Sequence, residues 1–299
     1  METVRKVYGH VADILIQNSI QESIIDPDNV FQEANIQNRQ IINTEIIRIL
    51  LHPLSNIVNF SELQRLHSLS RNGRSCLIVM EHYSNFDLPN LLYLLEYAKK
   101  SPEIASNIIA MAGMKLNIES DLVRAFTEAY TRIVIYPSRS LTPLIGTKDF
   151  TREQTKSREI NRAALHAMIR QKHSGKMILI FPTGTRYRTG VPETRQGLSE
   201  VDSYIKGFDY FLPIAIAGNI LRINVNGDMS EDYVHKDCVI FQAGTVIEAK
   251  KWRRDARSLL PESRDYKQHV ADCIMDLLAE LHFDADNHRR SLLATTPRK

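Results

Sequence analysis

Cysteine is scarce in this chain, and so are long apolar runs. Three cysteines occur among 299 residues, Cys76, Cys238 and Cys273, far apart and odd in number. No Cys-x-x-Cys pair is present, so neither a disulfide framework nor a thiolate zinc site is indicated, and a reducing, cytoplasmic setting is expected. No apolar run reaches the roughly 18 residues that would span a bilayer. The richest stretch, Phe211 to Val225, is interrupted by Pro213, Gly218, Asn219 and Arg222. The opening Met1-Glu2-Thr3-Val4-Arg5-Lys6 lacks the basic-then-apolar layout of a signal peptide. The expectation is a soluble protein, or at most one peripheral on a membrane surface. A Gly-x-Ser-x-Gly elbow is missing as well, which removes the usual seat of a serine nucleophile. Charge of one sign is also in short supply: the net charge is +3, too small to announce a nucleic-acid binder.

What is there belongs to an ordinary globular protein, 43% apolar and 24% charged, long enough for one large domain or two unequal ones. Positive charge is gathered locally, in Lys250-Lys251-Trp252-Arg253-Arg254 and in Arg289-Arg290 with Arg298-Lys299. Such runs form solvated faces or landing strips for anionic lipid or an acidic carrier protein. Residues 1–72 read as a small helical domain. Val4, Val7, Val11, Leu15 and Ile16 keep helical spacing; a second stretch from Val30 and Phe31 through Ile41 to Leu51, ending near Pro53, and then Leu63, Leu66 and Leu69 read as further helices. After the turn Arg71-Asn72-Gly73-Arg74 the character changes. Short apolar runs at Cys76–Met80, Ile108–Met111, Ile133–Tyr136, Met177–Phe181 and Phe211–Ala217 alternate with helical stretches at Leu88–Lys99, Leu122–Tyr130 and Arg158–Gln171. A final apolar stripe runs from Tyr266 through Val270, Ile274 and Leu278 to Leu281. This alternation predicts an α/β domain over 73–299, with a mixed, largely parallel sheet flanked by helices.

In such sheets chemistry gathers past the C-terminal ends of strands. Beyond Cys76–Met80 stands Glu81-His82-Tyr83-Ser84-Asn85-Phe86-Asp87-Leu88-Pro89. His82 and Asp87 would lie about 140° apart on one continuous helix. They meet only if His82 sits on the loop and Asp87 caps the helix behind it. A carboxylate on one ring nitrogen fixes the tautomer and frees the other nitrogen as a base. Of the ten histidines, His82 alone has an aspartate five residues on. Beyond Met177–Phe181 stands Pro182-Thr183-Gly184-Thr185-Arg186-Tyr187-Arg188. Gly184 permits a tight turn, and Arg186 and Arg188, with the hydroxyls and backbone N–H groups of Thr183 and Thr185, compose either an anion site suited to phosphate or a surface loop with two solvated arginines. The loop Tyr136-Pro137-Ser138-Arg139-Ser140 supplies a further cation or a plain turn. The tail His282-Phe283-Asp284-Ala285-Asp286-Asn287-His288 carries ligand-type side chains but reads as a solvated terminus.

The order His82-x4-Asp87, then Phe181-Pro182-Thr183-Gly184-Thr185-Arg186, then Leu212-Pro213-Ile214 resembles the glycerolipid acyltransferase superfamily, whose blocks are HxxxxD, FPEGTR and V-P-I. Within it the chain is most similar to the soluble plastid-type glycerol-3-phosphate acyltransferases. A helical region precedes the α/β part, the first block runs into a Leu-rich helix (Leu88–Leu95), and a polar helix leads into the second strand end. Gly184-Thr185-Arg186-Tyr187-Arg188 resembles that group's Gly-Gly-Arg-Asp-Arg loop. The resemblance covers roughly residues 75 to 250. It implies His82 as base, Asp87 as its partner, and Arg186 and Arg188, with Arg139, Gly184 and Thr185, around the acceptor phosphate. Thr183 stands where many members have Glu, a departure from the lysophosphatidate acyltransferases more than from the plastid type. A GxxFxxR block is not legible between the two motifs.

The resemblance implies direct transfer of a fatty acyl group, in phospholipid biosynthesis, from acyl-CoA or an acyl carrier protein to a hydroxyl of glycerol-3-phosphate. No metal or resident cofactor is expected. Oxyanion donors are sought among backbone N–H groups near Asn85 or Gly184. Two alternatives remain: a lysophosphatidate acyltransferase, and a non-catalytic phosphate- or acyl-binding relative.

Overall fold

The computed structural model describes residues 1–20, 22, 24–224, 229–259 and 265–295; Val225, Arg298 and Lys299 lie outside them. The described strands are β1 (Phe31–Gln32), β2 (Asn56–Val58), β3 (Cys76–Met80), β4 (Ile108–Gly113), β5 (Arg132–Ile135), β6 (Met177–Ile180), β7 (Tyr210–Ala217), β8 (Leu221–Arg222), β9 (Tyr233–Val234), β10 (Ile240–Ala243) and β11 (Ile247–Glu248). β3 is buried at every position, as a strand covered on both faces must be. It lies between β6 and β7, parallel to both, and β4 and β5 extend the parallel run beyond β6. β1 closes one edge antiparallel to β5. On the other side β10 runs antiparallel to β7 and carries β2 at the far edge. β8 and β9 pair apart from this sheet. The fold is mixed α/β, a largely parallel sheet flanked by helices.

Pro213 stands inside β7, where a residue without an N–H breaks a ladder. It sits where β7 changes antiparallel neighbour: β11 pairs at Phe211, and β10 takes over at Ile214. Alternation along the strands separates two faces. Cys76, Ile78 and Met80 join one core cluster with the helices of residues 1–72, the helix Asp87–Tyr93 and the helix Asp121–Thr127. Leu77 and Val79 join another, with the helices Phe150–His173 and Tyr266–Ala294.

Several elements differ from the expectations. Residues 1–72 are mostly helical, yet they add β1 and β2 at opposite edges of the sheet and share a core cluster with β3, β6 and β7. The polar helix begins at Phe150, not Arg158, because its first two turns carry no core stripe; burial starts at Ser157. The helix after His82 ends in a π-helical turn, Leu94–Ala98. The strands β8 to β11, past Ala217, are additions to the sequence reading. Of the basic clusters, Trp252 packs edge-on against Phe211, with ring centroids 5.2 Å apart, and Arg253 is held by Asp202 at 2.6 and 2.9 Å. Arg289 pairs with Asp237, and Arg290 with Asp286. The tail is no loose terminus: the last helix continues through it to Ala294, with Ala285 fully buried. Among the described residues no helix is long and apolar enough to cross a membrane.

Candidate functional site

β3 and β6 are parallel neighbours in register, Val79 opposite Ile180, so the loops past both ends emerge side by side. The helix after the first loop starts at Asp87 with Phe86 as its N-cap, so Asp87 is not the cap the sequence suggested. Its carboxylate turns back onto the loop instead. Oδ2 accepts the Tyr83 N–H at 2.6 Å and the Ser84 N–H at 2.8 Å, and lies 2.9 Å from His82 Nδ1. Asp87 is 3% exposed, and a carboxylate that deep needs such convergent donors. The carboxylate partner places the proton of a neutral His82 on Nδ1 and leaves Nε2 as the basic atom. Phe181 stacks on the imidazole at 3.9 Å and 16°, which fixes the ring plane.

β6 ends at Ile180, one residue before the expected Phe181, because the chain turns there: the Gly184 N–H donates to the Phe181 carbonyl at 2.9 Å. Gly184 has φ +57°, and a Cβ on it would come within 2.5 Å of Arg139 Nη2 and 2.8 Å of Leu198 Cδ1. Glycine is therefore required for both the backbone and the space. Arg139 donates through Nη2 to the Thr183 carbonyl at 3.1 Å, and the Thr183 hydroxyl donates to the Thr185 carbonyl at 2.6 Å. The loop then crosses to the first motif: the Tyr187 N–H donates to the His82 carbonyl at 2.8 Å. Arg186 and Arg188 flank the residue that makes this bond.

The structure thus brings together His82, Asp87, Gly184, Thr185 and Arg139, with Arg186 and Arg188 on the same loop. The two arginines differ sharply in surroundings. Arg188 is exposed, its backbone pinned by the Thr194 hydroxyl at 2.9 Å. Arg186 is mostly buried and pairs through Nη1 with Asp232, itself 1% exposed. A guanidinium has five N–H donors, so that pairing orients Arg186 without exhausting it. Of the expected oxyanion donors, the Gly184 N–H is spent on Phe181. Near Asn85 the expectation is a backbone N–H; what the structure shows buried without a partner among the described residues is the Asn85 side-chain nitrogen Nδ2. It borders an apolar cavity of about 40 Å³ lined by Tyr8, Val11, Ala12, Phe86 and Phe126, among others.

Four neighbours of the site carry no role in the motifs. Asp232 sits in no recognisable pattern. Glu81, 6% exposed, accepts the Ile216 N–H at 2.8 Å and the Tyr83 hydroxyl at 2.9 Å, and lies 2.9 Å from His282 Nδ1. A signal for His282 does exist: the buried stripe Val270, Ile274, Leu278 reaches His282 at the next step of four. Arg195 lies over the Tyr187 ring at 5.2 Å. The hydrogen bond to Glu81 raises His282 above its ordinary imidazole value, helped by the Glu81 and Asp286 charges and opposed by burial and Arg195. Burial, with the Glu81 carboxylate adding to it, pushes the Tyr83 phenol above its usual range.

Burial also pushes the Cys76 thiol up to about 12 and raises Cys238 and Cys273, so none is a poised thiolate. Among the described residues no group of three His, Cys, Asp or Glu side chains is placed to hold a metal ion. Compared with protein-family profiles and with curated proteins, the chain matches none.

Proposed function

We propose that this protein is an O-acyltransferase that moves a fatty acyl group from a thioester donor, acyl-CoA or an acyl carrier protein, to a hydroxyl of glycerol-3-phosphate. The observation that carries the reading is the pair of joined strand ends: a His–Asp dyad whose histidine backbone is bonded to the loop bearing Arg186 and Arg188. A base without a neighbouring anion site suits many reactions. A base tied to paired guanidiniums suits attack by a hydroxyl on a phosphate-bearing molecule.

The steps follow from the atoms. The acceptor phosphate binds Arg188 and the remaining donors of Arg186, with Arg139 and the Thr183–Thr185 turn beside them. His82 Nε2 takes the hydroxyl proton as the oxygen attacks the thioester carbonyl. Asp87 stabilises the imidazolium while the new C–O bond forms. The C–S bond then breaks, and the thiolate recovers the proton from His82. General-base help is worth about 10²–10⁴-fold, and holding the acceptor by its phosphate adds the advantage of a fixed geometry. The Asn85 amide, whose Nδ2 has no partner among the described residues, is the side chain we assign to meet the donor carbonyl. A second reading keeps the same base and anion site but takes an acceptor that is itself acylated, as lysophosphatidate is.

The test is acyl transfer to radiolabelled glycerol-3-phosphate from palmitoyl-CoA and from palmitoyl carrier protein, with His82→Ala alongside. Lysophosphatidate formed by wild type, and reduced about 10²–10⁴-fold in the variant, is the expected result. Product from lysophosphatidate alone would move the assignment to the second acceptor. Inactivity toward both acceptors with both donors would rule out the enzyme reading and leave a phosphate- or acyl-binding protein.

A further inference from the structure

The loop that carries His82 is held from two sides, and only one of them belongs to the dyad. Strand alternation sends the side chain at 82 toward Phe181 and its neighbour at 81 to the opposite face, where the helix Tyr266–Ala294 packs. There the buried Glu81 carboxylate gathers three donors from three elements: Ile216 N–H from β7, the Tyr83 hydroxyl from the loop, and His282 Nδ1 from the last helix. His282 Nδ1 also lies 3.3 Å from the Tyr83 hydroxyl, and the two rings sit 5.5 Å apart. The Tyr83 N–H, in turn, donates to Asp87. Both residues flanking His82 in sequence are therefore fastened to His282, and one of them passes the restraint on to the dyad carboxylate.

We propose that Glu81 and His282 are a positioning pair for His82: the last helix, through His282, locks Glu81 and Tyr83 so that the imidazole keeps Nδ1 on Asp87 and Nε2 free. The proposal rests on the acyl-transfer reading for its kinetic consequence but not for its structural one. A buried carboxylate with one donor withdrawn loses part of what fixes its position, and Glu81 is one peptide unit from His82. Loss of His282 would thus let the segment 81–83 shift, and small displacements of a base cost rate without touching the phosphate contacts. The charged and titratable groups facing His282 are Glu81 and Tyr83 from the strand end, Arg195 from the second loop and Asp286 from its own helix. None of these is Arg186 or Arg188.

Two substitutions separate positioning from mere packing. His282→Leu keeps bulk and helix while removing the hydrogen bond; His282→Asn restores a nitrogen near the Nδ1 position. Thermal melting establishes that each is folded. The expected kinetics are a kcat about 10- to 100-fold lower in His282→Leu, an acceptor KM within about twofold of wild type, and recovery of most of kcat in His282→Asn. In the free protein, ¹⁵N spectra of the histidine side chains should give one His82 tautomer in wild type and in His282→Asn, and a mixture in His282→Leu. Unchanged kcat and an unchanged His82 tautomer in His282→Leu would overturn the proposal, as would a raised KM at constant kcat. If wild type transfers no acyl group, the spectra alone decide whether His282 orients His82. A failure of the enzyme reading is thereby kept distinct from a failure of this one. Should His282→Leu not fold, His282→Ala and Glu81→Gln are put through the same spectra, and a single His82 tautomer in both overturns the proposal.

Discussion

Arg186 and Arg188 stand two positions apart and look interchangeable on paper, but their partners give them different consequences. Removing Arg186 takes a cation from Asp232, a 1% exposed carboxylate that also accepts the Asn224 N–H at 3.1 Å. Breaking a buried pair from one side costs about 3–5 kcal/mol. Arg186→Ala should therefore lower the urea midpoint markedly and raise the acceptor KM. Arg188 is exposed and forms no ion pair among the described residues, so Arg188→Ala should change stability by no more than about 0.5 kcal/mol. Its KM should still rise about tenfold or more, since a hydrogen bond to a charged group is worth about 1.5–3 kcal/mol. Urea titrations beside steady-state kinetics check both; equal stability losses, or an unmoved KM in both, would contradict the assignment. The sequence shows these arginines as a matched pair because the asymmetry resides in Asp232, far along the chain and in no motif. The dyad was more legible, since five-residue spacing after a buried strand leaves His82 and Asp87 few ways to meet. Even there the cap role of Asp87 was misjudged: the loop N–H groups of Tyr83 and Ser84 compete for the carboxylate and win.

At the scale of elements, the last helix was the clearest periodic segment in the sequence, yet its function lay in the residue that broke the apolar pattern. Val270, Ile274 and Leu278 are buried as read, and the next inward position is His282. A histidine on an apolar stripe is invisible as a contact until its partner is known, and Glu81 is two hundred residues away in sequence. The pair has a consequence for stability against pH. The folded state raises the His282 value, chiefly through its hydrogen bond to Glu81, with Asp286 adding to it and burial and Arg195 opposing. A raised imidazole binds its proton more tightly in the folded than in the unfolded chain. Its contribution is fully present below about pH 6.5, the unfolded value, and is lost as pH rises through the folded value. The melting-temperature gap between wild type and His282→Leu should accordingly be widest on the acid side of that window and narrow as pH increases. A gap that widens with pH would mean that the fold holds His282 neutral instead, with Nδ1–H as the donor to Glu81. The long helix Phe150–His173 teaches a related lesson. Its core-facing turns were found from the sequence, and its first turns were missed because solvent-facing residues there carry no period.

For the whole molecule, the parallel sheet was legible because β3, β6 and β7 are continuous apolar runs bounded by turns, whereas the separateness of residues 1–72 was not. Two short strands attach this segment to the sheet. β1 has two residues and β2 three, below any window in which alternation can be recognised. Yet β1 covers the outer side of β5, and β2 covers β10, so this segment caps both edges of the nine-stranded sheet. Ile42, Ile47, Ile57, Leu63 and Leu66, each at most 1% exposed, lie in one cluster with Ile78, Leu179 and Ile214. Helix Val4–Gln17 further lines the cavity next to Asn85. Removing residues 1–72 would bare two strand edges and one apolar face of the sheet together, the combination that drives edge-to-edge association. The fragment 73–299 should therefore lack a cooperative thermal transition in near-ultraviolet circular dichroism and elute as aggregates, while the full chain melts cooperatively. A monomeric fragment with a sharp transition would support the two-domain arrangement read from the sequence. It would also make Tyr8, Val11 and Leu15, which line the cavity beside Asn85, part of a separable cover. Loss of cooperativity would instead mean that the site loop, the sheet and the N-terminal helices fold as one unit. The geometry of His82 would then depend on helices at both ends of the chain.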